Sequence, residues 1–496
     1  MAERSIAGRS LGGGTWLALA KLWFLIAGYG LNVALTHLIA ESTYGQYQTV
    51  ARAVAVPNMV IIYTIMFSVS RPLAAEFDQG LPNYAAIRRR GLRLALVLGL
   101  LASGAMMLAA PALAGWWHDE ALVDPLRVVA PISLVYALYA VNIGTLNAQR
   151  QFSRQAALDV TMATLKAGFM AAAAALALGL TWVVAGFTSA AACALLLSLV
   201  LVVRARPRGG SEGDAAPPMA GFAAALIVFT TMLNLLQSSD LLILSSYSDT
   251  EALKQQTGYY SSAQLVAWVP YSLMNAVALV AFPFVASLVA EQRLSDEARD
   301  YAGAVATAAC SLLALMSAVA AAAATEIQAL LFPSAYTAAA GHLELLVFGY
   351  SGYSFANTIA WMSNSAGRHR AALAMVGLPL LSSISLASWL CPSAHAHGAA
   401  LAVVSAGGLA LVAGFVGLRL VFGVRPPWLH LAKIAAAVAA TLVVGRLFEV
   451  PTAGLVGKLW ILAKLVVLTL SFVGVGVVTR AVSLEQLRKL RQMKPE

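Results

Sequence analysis

The stretch "TWLALAKLWFLIAGYG" at residues 15–30 is apolar throughout except for one charged residue, Lys21. A helix needs roughly 20 apolar residues to cross the hydrocarbon core of a bilayer, and runs of this kind recur along the whole chain. Of the 496 residues, 60% are hydrophobic and 11% are charged, whereas soluble domains carry about 25% charged residues. The chain is therefore predicted to be an all-α polytopic membrane protein with no large soluble domain.

Hydropathy and the polar breaks predict fourteen transmembrane helices. The predicted ranges are 11–38, 46–73, 91–114, 123–147, 156–179, 182–203, 219–246, 258–289, 299–323, 337–364, 371–391, 398–422, 428–447 and 456–479. The first range is predicted to be a retained span, because no small-residue cleavage site follows it.

Basic residues fall on alternate loops, and the loops between them, such as "GWWHDEALVD" and "SDTEAL", are acidic or neutral. By the positive-inside rule both termini are predicted to be cytoplasmic. The net charge of +10 is then a topology signal, so a nucleic-acid partner is not expected. The basic tail "LEQLRKLRQMKPE" is predicted to be an interfacial helix on the anionic leaflet.

The chain contains an internal repeat. "TYGQYQTVARAVAVP" at residues 43–57 resembles "TGYYSSAQLVAWVP" at residues 257–270. The pairs that share an offset of 213 are Gly45 with Gly258, Tyr47 with Tyr260, and Pro57 with Pro270. We therefore predict two six-helix lobes of the same orientation, related by a pseudo-two-fold axis along the membrane normal. The predicted parts are residues 1–210 for the N-terminal lobe, 211–424 for the C-terminal lobe, and 425–496 for two further helices and the tail.

Several charged side chains lie inside the predicted spans, where a charge near the bilayer centre costs roughly 2.5 to 3.5 kcal/mol and so indicates a candidate site. The first lobe contributes Lys21, Arg52 and Lys166, and the second contributes Asp240 and Glu344. Ammonium and guanidinium groups in a low-dielectric cavity attract an anionic ligand such as a diphosphate. We predict that the three cations bind this headgroup.

Polar side chains follow the same helix faces. Lys21 and Asn32 are eleven residues apart, which places them on one face of a helix. Side chains predicted to contact the same ligand, in part through sugar hydroxyls, are Asn32, Tyr63, Tyr260, Gln264, Tyr271 and Asn275. Asp159 and Lys166 also share a face, but at 1.5 Å per residue they lie about 10 Å apart along the axis, too far for a direct pair.

Other interpretations of the charges stay open. Lys21 pairing with Asp159 or Asp240 would be a structural ion pair, and Arg52 is close enough to a span end to extend towards the headgroups. The lysines predicted to extend to the interface in this way are Lys433, Lys458 and Lys464. The cysteines Cys193, Cys310 and Cys391 are too widely separated to indicate a metal site or a disulfide framework.

Four stretches carry a resemblance to a known family. They are "KLWFLIAGYGLNVALTHLIAESTYGQYQTV", "SSDLLIL", "GYYSSAQLV" and "LNAQRQFSRQAALDV". Together they resemble the polysaccharide transporter branch of the multidrug/oligosaccharidyl-lipid/polysaccharide (MOP) exporter superfamily, the bacterial O-antigen and exopolysaccharide flippases. The resemblance implies two MATE-like lobes in a bacterial inner membrane that flip a polyprenyl-diphosphate-linked oligosaccharide to the periplasmic leaflet for surface or exopolysaccharide synthesis. It also implies a H⁺ or Na⁺ gradient as the energy source, with Asp240 or Glu344 as the acid that binds the coupling ion, and a lipid-tail groove on the last two helices.

No catalytic residue, metal or cofactor is predicted, and the expected partners are the lipid-linked oligosaccharide and membrane lipids, with a polysaccharide polymerase and glycosyltransferases as further candidates. The alternatives on the same fold are a peptidoglycan-precursor flippase and a cation-coupled multidrug antiporter. An antiporter for organic cations should have carboxylates where this first lobe has lysines and arginine. A membrane glycan polymerase is the rival from another class, and it should have a sizeable extracytoplasmic loop with catalytic residues.

Overall fold

The computed structural model describes residues 2–77, 83–204, 219–287, 289–290, 293–294 and 296–479, and these are almost entirely helical. The helices are α1 Ala2–Leu38, α2 Glu41–Ala75, α3 Tyr84–Trp116, α4 Val123–Val129, α5 Ile132–Ala148, α6 Phe152–Ala175, α7 Leu180–Val203, α8 Ala220–Leu236, α9 Ser239–Ser246, α10 Glu251–Ser287, α11 Asp296–Ala322, α12 Ala324–Leu331, α13 Ala340–Ser365, α14 His369–Phe422, α15 Trp428–Leu447 and α16 Gly454–Val478. Two-residue strands, Val289–Ala290 and Arg293–Leu294, form a small antiparallel pair. The predicted all-α class is confirmed, and the predicted tail helix lies outside the described residues.

The helices are long and apolar enough for a multi-pass membrane protein. Within the described ranges, ten helical segments meet the length and composition of a membrane span, and eleven do if α8 and α9 form one broken span. α14 has 54 residues, about 80 Å of helix, which is far more than one crossing needs. It reverses at His395, where φ is 45° and ψ is −124°, between the predicted ranges 371–391 and 398–422. Every predicted range overlaps a helix, so the count of fourteen is compatible with the structure.

The seventh predicted span is not continuous. Residues 219–246 were expected to form one helix, but the chain leaves the helix between α8 and α9 at Gln237 and Ser238. The Gln237 side chain donates to the carbonyl oxygen of Leu233 at 3.0 Å. Local side-chain bonds of this kind compete with regular helix hydrogen bonds. The polar sequence "QSSD" therefore ends α8 and begins α9 with Asp240.

The first compact unit consists of Met1–Ser238 and Ser248–Gln255. In it α1 packs on α6, α2 packs on α5 and α8, and α7 packs on α6 and α5. Ile65, Val69 and Val141 belong to its buried apolar core. Gly144 allows the close approach of α5 to α2, because a Cβ there would lie 2.7 Å from the carbonyl oxygen of Met66.

The second compact unit consists of Ser239–Tyr247 and Gln256–Glu496. Its most extensive helix pair is α13 with α14. Their backbones touch, since a Cβ on Gly352 would lie 2.1 Å from the carbonyl oxygen of Gly407. α15 packs on α11 and α16, and α16 also contacts α12.

These compact units do not follow the predicted boundaries at residues 210 and 424. Because α8 packs on α2, it belongs to the first unit, and because α15 and α16 pack on α11, they belong to the second. A sequence repeat identifies related segments of the chain, whereas the packing of helices determines which segments form one compact unit.

Candidate functional site

Lys21 and Asp159 form an ion pair in the first unit. The Nζ atom of Lys21 on α1 lies 2.7 Å from Oδ2 of Asp159 on α6. One neighbouring bond joins the same helices, from Trp23 Nε1 to Thr164 Oγ1 at 3.0 Å. The Lys21 side chain is 58% exposed and that of Asp159 is 12% exposed. The structure thus gives Lys21 one of the partners considered from the sequence, in a position where the ammonium stays accessible.

Lys166 and Arg52 form the rest of the cation group. Lys166 Nζ lies 4.1 Å from the ring centre of Phe187 on α7, which is a cation–π contact. Arg52 lies on α2 of the same compact unit. Among the described residues Lys166 makes no ion pair, and Asp159 pairs with Lys21 instead. Two like charges therefore lie on membrane helices of one compact unit.

The two predicted polar ligands of the first unit are engaged within α1 and α2. Asn32 Oδ1 accepts from Gln48 Nε2 at 2.8 Å and from the Tyr44 hydroxyl at 3.4 Å. Tyr63 stacks on Phe67 with ring centres 6.2 Å apart. Asn32 therefore fixes α1 against α2.

Asp240 is the centre of a buried polar network in the second unit. Its side chain has no exposed surface. Its Oδ2 atom accepts hydrogen bonds from the Tyr260 hydroxyl at 2.5 Å, Gln264 Nε2 at 2.8 Å and the Tyr350 hydroxyl at 3.0 Å. Gln264 also donates to the Tyr350 oxygen at 2.7 Å. The network brings together side chains from α9, α10 and α13.

This arrangement can hold a carboxylate, a carboxylic acid or a bound cation. Three neutral donors aimed at one oxygen stabilise the charged form, while burial among apolar helices favours the neutral form. Such opposed effects are what a site that gains and loses a positive charge requires. Tyr350 was not predicted from the sequence.

The other predicted residues of the second unit lie apart from this network. Glu344 is exposed near the start of α13, so the structure does not bring the two predicted acids together. Tyr271 packs beside Trp268, with ring centres 6.3 Å apart. Asn275 Oδ1 accepts from Asn357 Nδ2 at 3.2 Å. Tyr260 and Gln264 have no exposed surface. Both donate hydrogen bonds to Asp240, whereas they were predicted to contact sugar hydroxyls.

The prediction for Lys464 is wrong. Its side chain is only 2% exposed, and Nζ lies 2.5 Å from Oε1 of Glu326 on α12. The residue does not reach the interface, because its position on α16 faces α12. Glu326 was not singled out from the sequence, since it lies in an eight-residue helix beyond the end of a span.

A further polar cluster of the first unit joins Asp119 to two other side chains. Asp119 Oδ2 lies 2.8 Å from Lys254 Nζ and accepts from Gln46 Nε2 at 2.6 Å. The Asp119 and Lys254 side chains are 7% and 17% exposed. The cluster ties the acidic loop after α3 to the first turns of α2 and α10.

In the part of the chain that the structure describes, no group of three or more His, Cys, Asp or Glu side chains could hold a metal ion. The three cysteines form no disulfide. Cys310 and Cys391 are buried and Cys193 is exposed.

The fold is that of the MOP superfamily of membrane transporters. A structure of the lipid II flippase MurJ in an inward closed conformation superposes with a TM-score of 0.70 at 15% identity, covering 94% of this chain and 98% of that one. An inward-facing multidrug resistance MATE transporter gives a TM-score of 0.63 at 14% identity, covering 81% of this chain and 94% of that one. A MOP transporter from Pyrococcus furiosus, whose reversed pocket polarity suggests a different function for it, gives 0.62 at 15% identity over 84% and 95%.

The family follows from the sequence match. Residues 92–340 match the polysaccharide biosynthesis protein family, and the chain belongs to that family. No curated protein matches the chain in sequence. The predicted resemblance to the polysaccharide transporter branch of the MOP superfamily is confirmed.

Proposed function

We propose that the protein flips a polyprenyl-diphosphate-linked oligosaccharide from the cytoplasmic to the extracytoplasmic leaflet of a bacterial inner membrane, for surface or exopolysaccharide synthesis. The observation that carries this proposal is the presence of Lys21, Arg52 and Lys166 on membrane helices α1, α2 and α6 of one compact unit. The polysaccharide biosynthesis family supplies the substrate class.

Two neighbouring cations favour an anionic ligand for an electrostatic reason. Charges that lie close together in a medium of low effective dielectric repel each other much more strongly than in water. A diphosphate between them replaces this repulsion by attraction, and its oxygens accept charge-assisted hydrogen bonds from both ammonium and guanidinium donors. Lys166 and Arg52 therefore form the proposed headgroup site.

Lys21 adds an exchangeable cation to this site. Its ammonium is held by Asp159 at 2.7 Å but remains more than half exposed. Because the ammonium is accessible, a phosphate oxygen can bind Lys21 alongside or in place of Asp159. In this proposal Asp159 keeps Lys21 oriented until the headgroup arrives.

The energy source in this proposal is an ion that binds at Asp240. A ligand shifts a conformational equilibrium only through a difference in its affinity for the two states. Asp240 is sealed among Tyr260, Gln264 and Tyr350, so the binding or loss of a cation there changes the charge of the whole network. The exposed Glu344 has no comparable network and is the weaker candidate.

The C-terminal helices fit a lipid-linked substrate. The structural match to the lipid II flippase extends over 94% of this chain, compared with 81% for the inward-facing multidrug transporter. Leu447, Leu455 and Leu459 on α15 and α16 are between 61% and 81% exposed, which gives a polyprenyl tail an apolar surface. A peptidoglycan precursor has the same diphosphate and lipid chemistry and is the second candidate substrate.

The test compares the leaflet position of lipid-linked oligosaccharide in cells. Cells lacking the protein, cells with Lys166→Met and cells with wild type are spheroplasted, and the oligosaccharide on the outer face is labelled with an impermeant reagent. We expect labelling to fall about tenfold in the variant, with the unlabelled intermediate accumulating inside.

Lys458→Met is the matched control, because Lys458 is an exposed lysine at the start of α16. It should label as wild type at equal protein level. Wild-type labelling with Lys166→Met would contradict the assignment of Lys166 to the headgroup site. Wild-type labelling in cells lacking the protein would contradict the proposed flippase function. If only the peptidoglycan precursor accumulates inside the cells, the substrate is the second candidate and not the lipid-linked oligosaccharide.

A further inference from the structure

We infer that the ion bound at Asp240 is a proton, and that it reaches Asp240 through His397, His342 and Tyr260. This inference rests on the proposed coupling role of Asp240 and adds the identity of the ion and its route. All four side chains belong to the second unit.

The four side chains form a series from the surface to the interior. His397 is exposed and His342 is partly buried, while Tyr260 and Asp240 have no exposed surface. The His397 and His342 rings are 6.4 Å apart between centres, and the His342 and Tyr260 rings are 6.1 Å apart. The Tyr260 hydroxyl then donates to Asp240 at 2.5 Å. A bridging water can connect the polar atoms of neighbouring side chains.

His342 has the hydrogen-bonding capacity that a relay needs. Its Nδ1 atom is buried and makes no hydrogen bond within the described part of the chain. An imidazole accepts a proton on one ring nitrogen and releases one from the other. A buried ring nitrogen without a fixed partner leaves both tautomers accessible, so that the ring can alternate between them.

Titratable side chains surround this route. Within the described residues, the groups that act on Asp240 include Tyr260, Tyr350, Tyr353 and Cys391, and those beside His342 include Tyr260 and His397. Glu344 lies two residues along α13 and is exposed. The route therefore passes mainly among tyrosine, cysteine and histidine side chains.

The transfer balances without any further reactant. A proton from water binds His397, and a proton passes on to His342. The Tyr260 O–H bond then breaks as its proton forms the O–H bond of the Asp240 carboxylic acid. The His342 imidazolium returns a proton to the Tyr260 oxygen and becomes neutral again. The net change is one proton moved from water to Asp240.

The predicted topology gives the route a direction. Arg368 and Arg370 follow the C-terminal end of α13, which the positive-inside rule places in the cytoplasm. His342 lies in the first turn of α13, and His397 lies beside the reversal of α14 at His395. The entrance therefore faces the extracytoplasmic side, from which a proton-motive force drives protons inward.

The test follows Asp240 itself by infrared spectroscopy. Purified full-length protein in liposomes is exposed to a rapid pH drop, and the carboxylic acid C=O band is recorded, with Asp240→Asn identifying that band. We expect His342→Gln to slow the appearance of the band by at least about tenfold, as for loss of a positioned proton carrier, without removing its final amplitude. Imidazole added to His342→Ala should restore the rate.

His369→Gln is the matched control, since His369 begins α14 just beyond the other end of α13 and contacts Asn364 at 3.0 Å. It should leave the rate unchanged. A wild-type rate in His342→Gln, or a band that responds to Na⁺ and not to pH, would overturn the proton route. The measurement uses no oligosaccharide, so failure of the relay and failure of the flippase proposal are distinguished: the second appears only in the leaflet assay.

Discussion

The first and second units hold their membrane charges in opposite ways. In the first unit the Lys21 side chain is 58% exposed even in its ion pair. In the second, Asp240 has no exposed surface and Lys464 is 2% exposed. An exposed charge can exchange its partner for a ligand, whereas a sealed charge must be permanently paired or change its protonation. The first unit is therefore suited to binding a substrate headgroup, and the second to structure and ion coupling.

The largest effect is expected when the buried Lys464–Glu326 ion pair of the second unit is broken. Lys464→Met leaves the Glu326 carboxylate buried without its cation, and the loss of one partner from a buried pair destabilises by about 3 to 5 kcal/mol. We expect a clearly lower melting temperature in detergent, measured by intrinsic fluorescence.

The double variant Lys464→Met with Glu326→Gln is the control for this prediction. It removes both charges, so much of the lost stability should return. If the single variant melts like wild type, the pair is not sealed and the contrast between the units is wrong at this point.

A somewhat smaller effect is expected at Asp240, and it concerns transport. Asp240→Asn keeps an acceptor for Tyr260 but removes the titratable charge. We expect export to fall by at least about 100-fold, equivalent to about 2.8 kcal/mol, with normal protein levels. Glu344→Gln should stay within about twofold of wild type, because an exposed position contributes little. Equal losses in the two variants would contradict the assignment of coupling to the buried acid.

A third prediction sharpens the role of the cation group in the first unit. Arg52→Gln should weaken the binding of undecaprenyl diphosphate by about tenfold, because one charge-assisted contact is lost. Binding can be followed by tryptophan fluorescence quenching in nanodiscs. Arg446→Gln, at an exposed position near the end of α15, should bind normally. Unchanged binding with Arg52→Gln would remove Arg52 from the headgroup site.

The smallest effect on binding is expected at the Lys21–Asp159 pair, in which only Lys21 is exposed. Lys21→Met should lower the free energy of unfolding by about 1 to 2 kcal/mol, between the values usual for exposed and for buried pairs, because the Asp159 carboxylate is 12% exposed and loses its partner. Its affinity for undecaprenyl diphosphate should nevertheless fall a few-fold. A stability loss comparable with that of Lys464→Met would show that Lys21 is a structural residue and not a ligand.

Most of the fold was predictable because hydropathy is a local property. Each of the fourteen apolar ranges overlaps a helix, including the two that meet at His395 in α14. The break between α8 and α9 was missed, because the polar residues that cause it are few and lie in an otherwise apolar run. The division into compact units was not accessible either, since it depends on contacts between helices distant in sequence.

The candidate site was predictable only within single helices. Helix periodicity placed Tyr260 and Gln264 on one face, and both bind Asp240. It could not supply Tyr350, which comes from another helix. The partner of Lys464 was hidden for the same reason, because the spacing along α16 contains no information about α12. The Lys21 partner Asp159 was one of two acids considered, and geometry selected it.

The contact between Gly352 and Gly407 limits where the second unit can deform. With backbone against backbone, α13 cannot slide or turn along the second half of α14 without collision. Tyr350 and His342 on α13 and His397 on α14 thus belong to a fixed frame. Asp240 on α9 and its donors Tyr260 and Gln264 on α10 lie outside this frame, so a rearrangement that uncouples Asp240 must come from these two helices. The shorter of them is α9, eight residues long, whose displacement would act as the moving part against this frame.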